Sequence, residues 1–500
     1  SILKLSGDHI MDIQPEKTNN QLKSEKITDI CPDNKGKVWI ATDGGGISFY
    51  YPGENKVKSL DNIKGYRNLN EDYVNVIYKD QQGIIWIGYS WKGINKVVPS
   101  KFFFSHFNES DGLLSNSVWS VSQLDKNRFF IGTDKGISLY NKNDETFKSI
   151  QTEDGLSSDN IRAMKNDDNG NIWIGTLDKG LMKYDIKDQS FKYFGNKKNG
   201  PFSMLYNNPV WAIQKDFQGK IWLGTFHGLF VFEPDSINTE IKSYYHNPGS
   251  EGSLSSNIIY GLFEDDNQQM WISTYNGGLN KYDREKNQFI SYQYNEDDPN
   301  SIATNKVFSI EQGPTGFLWI GTMGRGLSKM NPYTGDFTHY QEKDGLANNV
   351  VYDIITDGSG YLWLSTNKGL SRFDPETEAF VNYDIKDGVQ SYEFNMGAAL
   401  KSKQGDVFFG GMNGFNVFHP LDIQQSTVDP DLVVSQINVY NEALPGMYFD
   451  GDTLHLNYDD NFFSLQFAAL DYSNSVKLQY KYKMENVTNE WINTTAEKNI

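Results

Sequence analysis

The sequence predicts an all-β chain made of propeller blades, and three observations carry that prediction. An apolar phrase typified by NIWIGTLDKGL recurs nine times in the 500 residues, starting at Lys37, Gly83, Arg128, Gly170, Lys220, Gln269, Phe317, Tyr361 and Asp406. Its period is steady: Trp173, Trp222, Trp271 and Trp319 stand 49, 49 and 48 residues apart, and the other intervals fall between 43 and 47. A self-similar unit of roughly 40–50 residues is the length of a four-stranded propeller blade. The third observation is the pattern within each copy, which has no helical periodicity. Its core is a continuous apolar run, as expected of a strand covered on both faces by neighbouring blades.

One unit shows the four strands in order. Residues 161–164 form a short first strand, and the Asp/Asn/Gly turn at 167–170 leads into the apolar run at 172–175. A Gly-containing turn follows, then an alternating strand through Leu181, Lys183 and Tyr184, then an aromatic outer strand at 191–194. The ninth copy ends near His419 without such an outer strand, which leaves an edge to be filled. Residues 102–107 (FFFSHF) fill it if repeats three to nine close a seven-bladed ring over residues 101–425. Repeats one and two, residues 1–100, are then the last blades of a preceding propeller. The competing closure uses residues 10–13 and all nine repeats; the seven-bladed ring is favoured. After about residue 425 the composition changes, and residues 426–500 read as part of an Ig-like β-sandwich. Residues 432–440 form one strand, and 454–491 hold three strand-like segments with aromatics at alternate positions. The chain opens in mid-repeat text without Met and stops in half a sandwich, so it reads as a piece of something longer.

Composition narrows the function. A formal net charge of −18 leaves no basic field for nucleic acid or anionic membrane. A single cysteine, Cys31, excludes an internal disulfide scaffold. No apolar stretch approaches the roughly 20 residues of a membrane span.

The repeats resemble the two-strand regulator propeller motif, with its iWIGT…GL…yd core, as arranged in periplasmic sensor regions of hybrid two-component systems of Gram-negative gut bacteria. Residues 387–420 (DGVQSYEFNMGAALKSKQGDVFFGGMNGFNVFHP) resemble the last blade of that family's second propeller. Residues 454–491 resemble the start of the three-tyrosine Ig-like domain that follows it. The resemblance covers essentially the whole chain. It implies a periplasmic region of two seven-bladed propellers and an Ig-like domain. Such a region detects oligosaccharides from polysaccharide breakdown and controls glycan-utilisation genes. It signals through a C-terminal membrane helix to a histidine kinase fused to a response regulator, in a homodimeric receptor. Nine of fourteen expected repeats are present and the Ig-like domain is incomplete.

Catalytic sets are sparse. The seven histidines are scattered without metal-ligand spacing, and neither a G-x-S-x-G elbow nor a phosphate-binding loop occurs. The expectation is therefore a region with no catalytic residues, no metal and no cofactor. The Asp clusters at 167–168 and 265–266 fall in repeat turns, where Asp is favoured for backbone reasons. The repeat tryptophans (Trp39, Trp86, Trp173, Trp222, Trp271, Trp319, Trp363) sit in the doubly covered strand and read as inter-blade packing.

Candidate binding residues are those that break the repeat on one propeller face. Trp119 and Trp211 precede innermost strands at positions where other repeats carry Arg162, Tyr260, Phe308 or Asp353. Phe226, His227 and Tyr275 stand in the turns after the WIGT run, and Tyr392, Glu393 and Asn395 lead into the last blade. Aromatic faces with amides and charges suit a sugar, which stacks through C–H faces and hydrogen-bonds through hydroxyls. A basic residue also precedes the turn glycine at Lys135, Lys179, Arg325 and Lys368. These cations offer either a solvated rim or a positive funnel for an acidic saccharide. Two alternatives to a carbohydrate sensor stay open: a protein-interaction scaffold, and a propeller lyase or glycosidase.

Overall fold

A computed structural model describes residues 104–423 apart from 168, 196, 197, 200, 201 and 235–240, with shorter stretches on either side (2–6, 9–13, 22, 24–33, 36–52, 56–59, 72–81, 83–97, 432–440, 442–444, 458–459, 462–469, 480–484 and 492–494). The chain divides into two compact units, Lys101–Ile423 and Ser1–Ser100 with Gln424–Ile500.

The Lys101–Ile423 unit is a closed ring of seven four-stranded antiparallel blades. Its innermost strands are Val118–Gln123, Ile161–Asn166, Val210–Lys215, Ile259–Glu264, Val307–Gln312, Val351–Thr356 and Phe394–Lys401. Each packs on the next, and the last packs on the first. The seventh blade takes its outer strand from the start of the ring: Ser105–Phe107 pairs antiparallel with Gly414–Phe418, with Ser105 opposite Val417. Phe107 stacks on Phe415 at 5.3 Å, and the His106 ring nitrogen Nε2 meets the Asn413 carbonyl at 2.7 Å. This is the expected closure by residues 102–107, of which 102 and 103 lie outside the described residues. Residues 10–13 pair instead with Ile2–Ser6 in a local hairpin.

The geometry explains why the phrase repeats. In four blades of the ring, the turn Asp before the second strand (Asp167, Asp216, Asp265, Asp357) accepts backbone N–H groups through one oxygen and the repeat indole through the other. Asp265 does so from Asn267 and Gln269 (3.0 and 2.9 Å) and from Trp271 Nε1 (2.9 Å). Asp216–Trp222 and Asp357–Trp363 repeat the indole bond at 2.9 Å. The ring's repeat tryptophans, Trp173, Trp222, Trp271, Trp319 and Trp363, are buried between blades, which bears out the packing reading. The Gly of WIGT leaves room for the next blade: a Cβ on Gly175 would lie 2.8 Å from the Val210 carbonyl oxygen. Where Ser replaces it, the hydroxyl is used, as when Ser273 Oγ donates to the Phe308 carbonyl at 3.0 Å. The Thr hydroxyl closes the following turn, as in Thr133 Oγ1 to the Gly136 carbonyl at 2.8 Å, with Gly136 held at φ 125°.

In the other unit, Ile27–Pro32, Val38–Thr42, Gly46–Tyr51 and Lys56–Ser59 form a four-stranded blade. Val74–Lys79, Ile85–Tyr89 and Ile94–Val97 form a three-stranded one. The two pack through Trp39, Phe49, Val74 and Ile87, and Asp29 Oδ2 accepts the Ile77 N–H at 2.8 Å. Farther along, Leu432–Val439 pairs with Glu442–Leu444 and Phe463–Ala469, and Tyr480–Tyr482 pairs with Ile492–Thr494. Of the strand-like segments expected over 454–491, residues 454–457, 460–461, 470–479 and 485–491 lie outside the described residues.

Candidate functional site

Six of the innermost strands carry a register shift after their first residue. It falls between Val118 and Ser120, Ile161 and Ala163, Val210 and Ala212, Ile259 and Gly261, Val307 and Ser309, and Val351 and Asp353. Such a bulge bends the strand and re-aims the skipped side chain. The skipped residues are Trp119, Arg162, Trp211, Tyr260, Phe308 and Tyr352. The seventh strand shifts between Phe394 and Ala399, where Asn395 follows the first residue.

These side chains meet at the ring axis. Trp119 of the first blade and Trp211 of the third are 5.9 Å apart edge to face, and the Arg162 guanidinium lies 4.0 Å from one ring and 5.5 Å from the other. Trp211 then meets Tyr260 at 6.3 Å, Tyr260 meets Phe308 at 5.6 Å, and Phe308 stacks on Tyr352 at 5.6 Å with the planes 13° apart. Trp119, Trp211, Tyr260, Phe308 and Tyr352 line a depression of about 240 Å³ with Glu393, Phe394, Asn395, Met396 and Met412, and Arg162 packs against the two indoles without lining it.

The sequence candidates divide on this geometry. Trp119, Trp211, Glu393 and Asn395 line the depression. Phe226 backs it, stacked on Trp211 at 5.2 Å and 10°, and Tyr275 meets Tyr260 edge-on at 5.7 Å. The Asn395 amide is spent on structure, donating to the Val118 carbonyl at 2.8 Å. His227 is exposed in its turn, and its Nδ1 is bonded to Asn208 Oδ1 at 3.0 Å. Tyr392 is exposed beside Glu393. Lys179, Arg325, Lys135 and Lys368 project from the turns and line neither this depression nor any wall of it. Lys135 pairs with Glu109 at 3.2 Å and Lys179 lies 3.9 Å from Asp178, so acids offset part of that rim.

Sequence reasoning takes Arg162, Tyr260 and Phe308 only as what other repeats carry; the structure brings them, with Tyr352, together at the ring axis. One of those positions also needs correction. Tyr352, not Asp353, is the equivalent of Trp119, because the doubled Val350–Val351 displaces the alignment by one. Asp353 is buried instead, accepting the Gly397 and Ala398 N–H groups at 3.1 and 3.2 Å, and burial pushes its carboxyl up to about 7.

Trp119 Nε1, Trp211 Nε1, and Arg162 Nε and Nη1 are buried without a hydrogen-bond partner. Tyr352 donates its hydroxyl to Asn367 Oδ1 at 2.8 Å, and the Glu393 charge helps raise its pKa after burial does. Among the described residues no group of three or more His, Cys, Asp or Glu stands ready to hold a metal ion. Among the same residues no helix is long and apolar enough to cross a membrane.

A closed seven-bladed β-propeller with an aromatic mouth at its axis defines the class of this chain. The two-component regulator propeller repeat matches six segments of it, residues 21–44, 68–91, 155–178, 207–227, 253–276 and 345–368. A curated relative, histidine kinase P4 of Formosa agariphila, is 26% identical over 425 residues, spanning 79% of this chain and 30% of the relative. The extracellular domain of a hybrid two-component system from B. thetaiotaomicron superposes with a TM-score of 0.74 at 24% identity, covering 95% of this chain and 63% of that one. The chain thus spans about a third of the curated relative's length, and the structural likeness speaks to the fold.

Proposed function

We propose that this chain is the extracytoplasmic, periplasmic input region of a hybrid two-component histidine kinase, and that it binds an oligosaccharide released by polysaccharide breakdown. In this reading the region does no chemistry itself. Occupancy is passed through a membrane helix outside this chain to the kinase of a homodimeric receptor, and glycan-utilisation genes respond. The repeats and the kinase relative support the signalling half of the proposal.

The observation that carries the ligand class is the axial mouth. Trp119, Trp211, Tyr260, Phe308 and Tyr352 present aromatic surface around one small depression, with the Glu393 carboxylate lining it beside them. Aromatic faces accept the C–H side of a pyranose, and the polar atoms beside them fix its hydroxyls. A depression of about 240 Å³ is small beside the roughly 300–1,000 Å³ of drug-sized sites, so it suits an end residue of a chain rather than a long segment. Incubation with a panel of defined oligosaccharides tests the proposal. Saturable heat in calorimetry without a new product supports a sensor. Turnover of the glycan, or binding only to a co-purifying protein, replaces it with the lyase or scaffold reading.

A further inference from the structure

Glu393 is the one charged side chain that lines the axial depression; among the described residues no Lys, Arg or His belongs to its walls. Its backbone is held in place. The buried Gln390 donates through Nε2 to the Glu393 carbonyl at 2.7 Å and accepts the Asn413 N–H at 2.9 Å. Phe394, the next residue, is buried at the start of the seventh innermost strand. The Glu393 side chain itself is exposed, and its carboxylate makes no hydrogen bond or ion pair among the described residues. The rest of the lining offers few donors. The Asn395 amide is spent on Val118, the Tyr352 hydroxyl on Asn367, and both indole N–H groups are buried. What faces the depression is aromatic rings, the thioethers of Met396 and Met412, and one carboxylate. The face of an aromatic ring carries negative potential and attracts a cation, and a carboxylate beside it adds to the attraction. The same lining repels an anion.

We propose that the saccharide bound in the mouth is an amino sugar, its protonated amine held by the Glu393 carboxylate against the aromatic wall. The proposal rests on the reading of the mouth as a saccharide site and adds the charge of the ligand. The wall also says where the amine sits. The Arg162 guanidinium lies 4.0 Å from the Trp119 ring and 5.5 Å from Trp211, so that side of the mouth already has its cation. Phe308 and Tyr352 stack on each other at 5.6 Å, and the Glu393 charge reaches Tyr352. The amine therefore sits toward Phe308, Tyr352 and Glu393, and the C–H face of the sugar turns to the indoles. An acidic saccharide drawn in by the turn cations would meet Glu393 at the axis, with no cation in the lining to hold it.

Two matched pairs of probes test this by calorimetry on the whole chain, below the pKa of the amine. One is a chitosan tetrasaccharide and its fully N-acetylated form, the other a galactosamine tetrasaccharide and its N-acetylated form. The free amine of one pair should bind at least about tenfold more tightly than its acetylated partner, the scale of one charge-assisted contact. Glu393→Gln should erase that difference, Glu393→Asp should retain part of it, and Trp211→Ala should weaken both members. Melting curves identify a variant that has lost its fold, and Glu393→Asp then carries the comparison. Equal binding of both members, or a preference that survives in Glu393→Gln, overturns the proposal while leaving the saccharide site standing. Binding of saccharides without an amine alone overturns it too. Choline, a cation without ring hydroxyls, should bind at least about tenfold more weakly than the amino sugar, since it lacks the ring that stacks on the indoles; equal affinity overturns the assignment to a sugar. If no saccharide of any charge binds, the reading of the mouth falls and the proposal with it.

Discussion

Replacing Asp265 by Ala removes the acceptor that ties the turn, the second strand and the inter-blade tryptophan together. Asp265 is 6% exposed and takes three hydrogen bonds, from the N–H groups of Asn267 and Gln269 and from Trp271 Nε1. The indole is fully buried, so its stranded N–H costs about 1–3 kcal/mol. The two turn N–H groups recover water and lose only about 0.5–1 kcal/mol each. The total is about 2–5 kcal/mol. For a ring of roughly 320 residues, with an unfolding entropy near 2.1 cal/mol/K per residue, that lowers the midpoint by about 3–7 °C. Calorimetric melting of the whole chain reads it, with Asp265→Asn expected to lose less because one amide oxygen can still serve the turn. The fifth blade supplies an internal contrast. Gly313 stands there in place of the Asp and Trp319 Nε1 is unpartnered, so the fold accommodates one such loss but not without cost. A shift below about 1 °C for Asp265→Ala would refute the bracket as a source of stability.

Three further outcomes follow from the packing and the buried acids. Gly175→Ala forces a Cβ to 2.8 Å from the Val210 carbonyl oxygen and should cost about 1–3 kcal/mol in denaturant titrations; a neutral effect would show that the next blade can shift. Phe107→Ala removes the ring that packs on Phe415 and Tyr140, costs about 3–5 kcal/mol, and should speed hydrogen exchange in Gly414–Phe418 more than in the fourth blade. Uniform exchange across the ring would argue against closure at that strand. Asp353 and Glu311 are both raised to about 7 by burial, above their ordinary values near 4. The folded state therefore holds protons that the unfolded chain has released. Stability is full below about pH 4 and falls as pH rises toward 7, by up to about 1.4 kcal/mol per pH unit for each acid. Melting of Asp353→Asn across pH 4.5–7.5 should show a shallower decline, and an unchanged profile would mean that Asp353 is ionised in the fold.

The blades were legible because their strongest constraint is written locally. Trp, Ile, Gly and Thr of the repeat each answer to a separate contact: an indole bond, inter-blade packing, close approach of the next strand, and a turn carbonyl. The closing strand was legible from a deficit, since the ninth repeat lacked an outer strand and residues 102–107 had no other partner. The mouth was half visible. Trp119 and Trp211 stood out as exceptions, but Arg162, Tyr260 and Phe308 passed as ordinary members of the repeat and Asp353 stood in for Tyr352. What joins the six is a bulge, a backbone register effect that leaves no composition of its own. The available signal was an apolar β-former followed by a large side chain (VW, IR, VW, IY, VF, VY) at each strand start. The doubled valine at 350–351 hid the last of these. The rim cations were conspicuous in sequence because they share a position before the turn glycine. Their partners, such as Glu109 for Lys135, come from other segments and could not be read beside them.

The central claim is that the axial aromatic mouth is the ligand site. Calorimetric titration of the chain and of its Trp119→Ala and Trp211→Ala variants, with whichever oligosaccharide of the panel binds, tests it most directly. Base-to-side-chain contacts of this size lose about 1–3 kcal/mol when the aromatic face is removed from a stacked ring, and a sugar face on an indole should lose a comparable amount, about tenfold or more in affinity. The account predicts that loss in each variant while the turn variant Arg325→Ala binds as the parent does. Undiminished binding by Trp119→Ala and Trp211→Ala, in chains that melt as the parent does, would place the site elsewhere and contradict it.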